Sequence, residues 1–289
     1  MKADVVCVGD PFLDLIFRGL PGMPVLGEEL LATRLVVVPG GMANVAYALC
    51  RLELSAVVCA PIGRDPAGRF LAQLMADAGI AWVGGQGEVT PVTVALPAIG
   101  DRALVSVMPP PTVDVETLAG IATRAIVVDL PSVPLLPEMP SSPRVYAVVG
   151  DPEVAMLAGR MPASLEGIHA LVLNDREAGR LTGESDAPSA AARLASLGTT
   201  AVVTRGFAGA IAVEPDGRSV AVPALPADVA DATGAGDLFA AAYVWADLAG
   251  HGLEARLRLA SSYASLSLER TADRQKGITR SELSELLAR

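Results

Sequence analysis

The sequence contains very little lysine and histidine, and this scarcity excludes two kinds of active site. Lysine occurs only at Lys2 and Lys276, and no GK[ST] tripeptide is present. A P-loop, which places a lysine on nucleotide phosphates, is therefore excluded. The two histidines, His169 and His251, lie far apart along the chain. That separation argues against a histidine-rich metal site.

Cysteine, aromatic residues and positive charge are also scarce. Cys7, Cys50 and Cys59 lie in apolar stretches without CxxC spacing, a pattern typical of buried thiols in a reducing cytosol. With 52% hydrophobic but only 4% aromatic residues, the core must consist mainly of Ala, Val and Leu, and a disordered chain is excluded. The net charge of -10 argues against a nucleic-acid partner.

No stretch of the sequence has the pattern of a signal peptide or a membrane span. The apolar run at the N-terminus is short and is broken at Gly9-Asp10, unlike the apolar region of a signal peptide. No run approaches the ~18 apolar residues of a membrane-spanning helix. We therefore expect a cytoplasmic protein that binds neither membranes nor nucleic acid.

Short valine-rich segments recur along the chain and predict strands. They are bounded by Gly, Asp or Asn and do not alternate, as is typical of strands buried on both faces of a parallel sheet. Helical patterns lie between them, so we predict β-α-β units. The predicted strands are 4–9, 55–63, 125–130, 144–151, 170–174 and 200–206, and the predicted helices are 43–53, 66–79, 175–183, 188–198, 235–249, 253–270 and 280–289.

Two stretches have no helix between their strands and predict a second, smaller sheet. Residues 28–39 and 90–109 are interpreted as antiparallel strands, the latter as a hairpin. The chain has no long linker, repeat or low-complexity tract. We therefore predict one α/β domain over 1–289, a doubly wound, mostly parallel sheet flanked by helices. Insertions at about 15–39 and 90–109 are predicted to form a small β-sheet lid.

The segment DATGAGD (231–237) joins a glycine-rich turn to a carboxylate at the start of an apolar helix. The backbone N–H groups of Gly234, Ala235 and Gly236 would form an anion site at the helix N-terminus. Asp237 would lie beside the bound anion and accept a hydroxyl proton, an arrangement that suits phosphoryl transfer. The alternative is a plain turn in which Asp237 only interacts favourably with the helix dipole.

Asn174 and Glu177 follow the predicted strand 170–174 and have two interpretations. Their spacing is that of a capping box, in which each side chain bonds the other residue's backbone N–H. Alternatively, the Glu177 carboxylate faces a cleft at the carboxyl end of the strand and orients Mg2+ through water.

Three further segments carry residues with open roles. TRGFAG (204–209) is either a turn into a hairpin or a backbone surface for a nucleotide. Asp14 and Asn44 are candidates to bind hydroxyl groups, the alternatives being a turn aspartate and a helix cap. Arg34 and Arg102, in the predicted small sheet, are interpreted as solvated charges.

Taken together, these segments resemble the ribokinase-like (PfkB) family of carbohydrate kinases, over nearly the whole chain and in the family's order. The DxTGAGD segment is the most specific of them. The matching residues are Asp14, Gly40, Gly41, Asn44, PIGRDPAG (61–68), Asn174 and Glu177 of NxxE, Thr204, Gly206 and Gly209 of TxGxxG, and Asp231 to Asp237 of DxTGAGD.

The resemblance implies transfer of the γ-phosphate of ATP to a hydroxyl of a sugar or nucleoside. Asp237 would be the base, and the amides of 234–236 the anion hole. Family members often dimerise through the lid, so a homodimer is expected. The implied acceptor-binding residues are Asp14, Gly40, Gly41 and Asn44. The residues implied for ATP are Asn174, Glu177, Thr204, Gly206, Gly209 and Thr233, with Glu177 holding Mg2+ through water.

The sequence departs from the family pattern at three places. Met42-Ala43 supplies two residues, instead of the usual three, between the GG pair and Asn44. Phe12 stands where an asparagine is common, and both changes concern the expected sugar pocket. The segment 267–278 lacks the Gly-Ala of the family's adenine and potassium loop. That difference argues against a monovalent cation such as K+ at Asp231 and Thr233.

Two other functions stay open on the sequence. A nucleoside kinase would use the same chemistry, but the predicted lid strands carry no aromatic residue to stack a base, which favours a sugar. A non-catalytic sugar- or nucleotide-binding regulator would be expected to lack Asp237 or the anion hole, and both are intact. Arg34 and Arg102 leave an acidic or phosphorylated sugar open.

Overall fold

A large sheet flanked by helices forms the centre of the protein in the computed structural model, which describes residues 1–98, 101–139, 141–158, 160–227, 232–270 and 275–287. The strands are β1 (Val5–Val8), β2 (Pro11–Arg18), β3 (Arg34–Gly41), β4 (Ala56–Cys59), β5 (Ile62–Gly63), β6 (Ala81–Val83), β7 (Gln86–Gly87), β8 (Val92–Ala98), β9 (Asp101–Val107), β10 (Ala125–Asp129), β11 (Arg144–Val148), β12 (Ile168–Asn174), β13 (Thr200–Thr204), β14 (Ala210–Val213) and β15 (Ser219–Val222). The helices are α1 (Met42–Arg51), α2 (Pro66–Asp77), α3 (Val115–Ala119), α4 (Asp151–Met156), α5 (Asp175–Thr182), α6 (Ala187–Ala195), α7 (Ala235–Leu248), α8 (Leu253–Arg270) and α9 (Arg280–Leu287).

The main sheet has nine strands within the described residues, in the order β15-β14-β13-β12-β11-β10-β1-β4-β6. Neighbouring strands of this sheet are parallel from β13 to β6, and β14 and β15 add an antiparallel hairpin at one edge. The four residues of the valine-rich strand β1 are fully buried because helices cover both faces of the sheet. The prediction of a doubly wound, mostly parallel sheet is confirmed.

Helices on the two faces of the sheet bury separate apolar clusters. On one face α1, α7 and α8 pack against β1 and β4, and the consecutive alanines 240–242 of α7 let its backbone lie close to its neighbours. On the other face α5 and α6 pack against β12 and β13. These five helices begin and end within a few residues of their predicted bounds. The short α3 and α4 were not predicted, because one or two turns carry little periodicity.

The small sheet has the order β3-β2-β8-β9. β2 pairs antiparallel with β3, and β8 and β9 form the predicted hairpin, whose tip at 99–100 lies outside the described residues. β2 and β8 run parallel, so the small sheet is mixed and not antiparallel throughout. Residues 28–33, predicted as strand, form no strand, and the sheet instead takes in β2.

The small sheet joins the core by short connections. Two residues separate the end of β1 from the start of β2, and α1 begins at the residue after β3. Gly9 has φ 138° and Gly41 has φ 56°, values that favour glycine over other residues. These connections place the small sheet over the carboxyl end of β1, the edge where open α/β sheets bind ligands.

The structure also places the cysteines and His169, which the sequence analysis considered. Cys7 and Cys59 are buried free thiols and Cys50 is half-buried. His169 contacts the buried carboxylate of Asp247 at 2.8 Å, within a structural ion cluster. In the part of the chain that the structure describes, no helix combines the length and apolarity needed to cross a membrane.

Candidate active site

The glycine-rich turn before α7 has the geometry of an anion site. Gly234 caps the helix in a left-handed conformation (φ 79°), which a residue with a side chain rarely adopts. A Cβ placed on Gly236 would meet no atom within 4 Å, so the space outside the turn is open. Ala235 and Gly236 are the first two residues of α7, where N–H groups have no partner within the helix. The Ala235 N–H donates to the carbonyl oxygen of Ala232 at 3.1 Å, so an anion would share this donor with the turn. Donors and open space together fit an anion the size of a phosphate.

The Asp237 carboxylate is held by residues distant in sequence. Asn44 donates its side-chain amide to Asp237 Oδ2 at 3.0 Å, and Gln275 donates to Asn44 Oδ1 at 2.6 Å. Asn44 is not a helix cap, because the residue that caps α1 is Gly41. The amide of Asn44 therefore orients the carboxylate at the anion turn.

Asp14 lies in β2, so the alternative of a turn aspartate was wrong. Its side chain lies on the same face of the small sheet as Ile16 and Val38, towards the core, and only 8% of the residue is exposed. Burial and the negative charge of Asp237 raise the pKa of Asp14 to about 7, against an opposing effect of the Lys276 ammonium. Asp14 and Asn44 line one cavity, and Asn44 bonds Asp237, so the two carboxylates belong to the same site.

The two glycines at the end of β3 are explained by close approaches. A Cβ on Gly40 would lie 2.0 Å from Asp14 Oδ2, and a Cβ on Gly41 would lie 2.6 Å from the carbonyl oxygen of Asp10. Both residues end a strand and do not belong to α1. Gly40 therefore allows β3 to lie against the Asp14 carboxylate, and Gly41 allows it to approach the backbone of Asp10. A cavity beneath the small sheet is lined by Asp14, Ile16, Val36, Val38, Asn44, Thr233 and Lys276.

Lys276 and Gln275 are site residues that the sequence interpretation missed. Lys276 is buried, and its Nζ donates to the carbonyl oxygen of Thr233 at 2.6 Å. The sequence offered one signal for Lys276, the rarity of lysine. Nearly all basic residues of this chain are arginines, so a lysine is exceptional. Asp231, the other residue predicted for a monovalent cation, lies outside the described residues.

Asn174 and Glu177 form the predicted capping box at the start of α5. Asn174 Oδ1 accepts from the Glu177 N–H at 2.9 Å, and Glu177 Oε2 accepts from the Asn174 N–H at 2.7 Å. The capping interpretation is confirmed. It leaves the metal role open, because a carboxylate has a second oxygen and further lone pairs.

Negative charge accumulates around Glu177, at the carboxyl ends of the central strands. Burial, together with Asp151 and Glu153, raises the pKa of Glu177 to about 7. Burial, together with Asp129 and Glu153, raises the pKa of Asp10 to about 7. Such mutual repulsion is relieved by a divalent cation, and carboxylate oxygens suit Mg2+. The described residues contain no cluster of three or more His, Cys, Asp or Glu placed to chelate a metal directly.

The TxGxxG segment lies beside Asn174. Thr204, the last residue of β13, is the register partner of Asn174 in β12. A Cβ on Gly209 would lie 2.0 Å from the carbonyl oxygen of Val222, whereas a Cβ on Gly206 would meet no atom within 4 Å. Gly209 therefore serves the turn into β14, and Gly206 leaves open backbone at the same sheet edge.

The fold and the site define a class of protein. A doubly wound sheet carries an anion turn, two neighbouring carboxylates and a covering small sheet at one edge, the architecture of a small-molecule kinase. The sequence matches the model of the pfkB family of carbohydrate kinases over residues 2–95 and 147–278. The chain belongs to this family and is a kinase of the carbohydrate and nucleoside type.

Individual proteins are similar to this chain over nearly its whole length. The ribokinase of Bacillus subtilis (strain 168) is 26% identical over 302 residues, which cover 99% of both chains. A structure of Arabidopsis thaliana ribokinase, complexed with ribose and ATP, has a TM-score of 0.76 at 23% identity and 99% coverage of both chains. The adenosine kinase of Sinorhizobium meliloti has a TM-score of 0.77 at 18% identity, with 100% of both chains covered.

Proposed function

We propose that this protein transfers the γ-phosphate of ATP to a hydroxyl group of a sugar or sugar derivative. The observation that carries the proposal is the placement of Asp237. It lies at the anion turn, is held by Asn44, and is close enough to Asp14 for their charges to interact. A hydroxyl bound between the two carboxylates would meet both a proton acceptor and the amides that stabilise the moving phosphoryl group.

Each residue has a defined role in this reaction. Asp237 accepts the hydroxyl proton while the acceptor oxygen forms a bond to the γ-phosphorus and the bond to the β-phosphate oxygen breaks, releasing ADP. The N–H groups of 234–236 bind the oxygens of the transferred group. Asp14 accepts hydrogen bonds from hydroxyl groups of the acceptor. Gly40 leaves room for the Asp14 carboxylate, and Gly41 brings the end of β3 close to Asp10.

ATP and Mg2+ fit the open backbone and the acidic edge of the sheet. Gly206 and Gly236 leave space beside their backbones, so phosphates can approach without meeting a side chain. Asn174, Glu177, Thr204, Gly209 and Thr233 complete the proposed nucleotide side. When bound, Mg2+ would neutralise phosphate charge, with Glu177 holding it through water.

A nucleoside acceptor is the second candidate, and one observation favours it. Phe12 belongs to β2 and alternates onto the same face as Asp14, so the small sheet does carry an aromatic side chain towards the cavity. The sequence argument against a nucleoside rested on lid strands that omitted β2, and it no longer applies. Aromatic rings are the usual stacking partners of bases.

The proposed reaction is tested by measuring ADP release with ATP, Mg2+ and a panel of neutral sugars, acidic and phosphorylated sugars, and nucleosides. Stoichiometric phosphorylation of one acceptor class, confirmed by mass spectrometry, would support the proposal and choose between the candidates. ATP binding without turnover on any member of a broad panel would favour the non-catalytic regulator.

Replacing Glu177 with Gln is expected to raise the Mg2+ concentration needed for half-maximal activity by about tenfold, the effect of losing one charged ligand contact. The capping box should survive, because Gln serves at the same position. A Mg2+ titration beside thermal melting measures both effects.

The matched control for this variant is Glu282→Gln. Glu282 accepts from the Thr279 N–H at 2.6 Å and caps α9 in the same way, but it belongs to no part of the proposed site. An unchanged Mg2+ requirement in Glu177→Gln would assign Glu177 to capping alone.

We further propose that residues 1–289 act as one domain whose small sheet is a lid, and that two copies pair through the outer face of this lid. That face points away from the cavity and is apolar, with Val105 64% exposed. β3 and β9 are exposed edges that invite pairing. The outward side chains are Leu15, Phe17, Leu35, Val37, Val94, Val105 and Val107.

Val105→Lys is expected to convert a dimer into a monomer, because a charge at the centre of an apolar interface is costly to bury. Light scattering at micromolar concentration measures the mass. Phe70→Lys, on the exposed side of α2, should leave the dimer intact. A wild-type monomer under these conditions would refute the pairing.

A further inference from the structure

Lys276 places a fixed positive charge on the peptide that begins the anion turn. Its Nζ lies 2.6 Å from the carbonyl oxygen of Thr233, the residue before Gly234. We infer that this tethered ammonium takes the place of a monovalent cation at the Thr233 carbonyl, so that phosphoryl transfer by this protein does not need K+. The inference rests on the proposed function, and Lys276 acts in it as a positioning residue.

The ammonium is held on an anchored segment. Gln275 bonds Asn44 at 2.6 Å, and Ile278 is buried in the main core. The Ile278 backbone is fixed at both ends, since its N–H donates to Ser267 Oγ at 3.2 Å and its carbonyl accepts from the Tyr263 hydroxyl at 3.1 Å. Lys276 is therefore built into the site between two fixed neighbours.

The contact acts on the first donor of the anion turn. A trans peptide is planar, so the Thr233 carbonyl and the Gly234 N–H point in opposite directions, and the described residues contain no cis peptide. Fixing the carbonyl on Lys276 therefore fixes the direction of the Gly234 N–H. A positive charge on the oxygen also polarises the peptide and strengthens that N–H as a donor.

A K+ ion does not fit the same oxygen. The Thr233 carbonyl already accepts from the buried ammonium, and a second cation on it would lie a few ångströms from the first, with strong repulsion in a partly buried site. The sequence agrees, because the segment 267–278 that contains Lys276 lacks the Gly-Ala of the family's potassium loop. The same ammonium also opposes the rise in the pKa of Asp14.

The test compares KCl with N-methylglucamine chloride at equal ionic strength, for the wild type, Lys276→Met, Lys276→Arg and Lys2→Met. Lys2 is the other lysine of the chain and is exposed, so it is the matched control. Wild-type kcat should differ less than about twofold between the salts. Lys276→Met should lose about 10–100-fold in kcat, the effect of one charged hydrogen bond.

Lys276→Arg keeps the charge and should exceed Lys276→Met by about tenfold, a recovery that a purely structural role would not produce. Stimulation of the wild type by K+ of more than about fivefold, or full activity of Lys276→Met, would overturn the inference. Two further measurements on the wild type, ATP affinity by calorimetry and thermal melting, are made in both salts. They detect a cation dependence without turnover. Equal values support the inference even if the proposed acceptor reaction fails, and a clear K+ dependence overturns it.

Discussion

Asp237→Asn is expected to keep ATP binding and to lose about 10²–10⁴-fold in kcat, the usual contribution of a positioned general base. Asparagine has the same shape and can still accept from the Asn44 amide, so the anion turn should keep its geometry. It cannot take a proton from the acceptor. The loss should therefore fall on kcat, with little change in ATP affinity by calorimetry.

The control for this variant is Asp175→Asn. Asp175 lies in the first turn of α5, as Asp237 does in α7, but its side chain is exposed. It therefore tests the loss of a carboxylate at a helix N-terminus without loss of the base. Retention of more than about a tenth of wild-type kcat in Asp237→Asn would show that Asp237 is not the base.

Asp14→Asn is expected to weaken acceptor binding and to stabilise the folded protein. A carboxylate accepts charge-assisted hydrogen bonds worth roughly 1.5–3 kcal/mol each. Losing them should raise the KM for the acceptor at least about tenfold. The KM for ATP should change little, because the anion turn is a separate element.

The stability effect follows from the pKa of Asp14, which burial and Asp237 raise from its ordinary value of 3.8 to about 7. The folded protein then binds this proton more tightly than the unfolded chain does. The free energy of unfolding should therefore fall as pH rises from about 4 to about 7. Above that range the buried charge costs up to about 4 kcal/mol, which Asp14→Asn removes.

Thermal melting of Asp14→Asn and wild type at about pH 8 and about pH 5 measures this difference, which should be smaller at the lower pH. Asp65→Asn is a control of opposite sign. Burial raises the pKa of Asp65, but hydrogen bonds from Thr90 and Gly68 outweigh it and hold that pKa low. Unchanged acceptor KM in Asp14→Asn would refute the role in acceptor binding, and unchanged melting would refute the predicted stabilisation.

The core was predictable from the sequence because its strands are buried on both faces. Valine runs such as that of β1 have no polar alternation, and the helices between them carry apolar faces. The carboxyl edge of such a sheet is where ligands bind, so Glu177, just after β12, could be proposed for the site from the sequence. Asp237 could be proposed from the glycine-rich turn at the start of an apolar helix.

The parts that were missed depend on contacts without a local pattern. β2 begins with a proline and contains Asp14, residue types that are depleted in strands, so the predicted lid began only at about residue 15 and a turn stayed open for Asp14. Lys276 bonds a backbone carbonyl, which any residue could supply at position 233. The Asn44–Asp237 hydrogen bond joins residues 193 positions apart. No spacing rule connects such pairs.

The glycine connections of the small sheet bear on the timing of acceptor binding. Asp14 is carried by the small sheet, whereas Asp237 is carried by the core. A rigid-body rotation of the sheet would be absorbed at Gly9 and Gly41, whose backbones have positive φ, and at the start of β8, just after Thr90, which Asp65 anchors through two hydrogen bonds. Such a rotation changes the separation of the two carboxylates. The acceptor would then bind to Asp14 and bring its hydroxyl to Asp237 in a single movement of the small sheet. The same movement would expel water from the site.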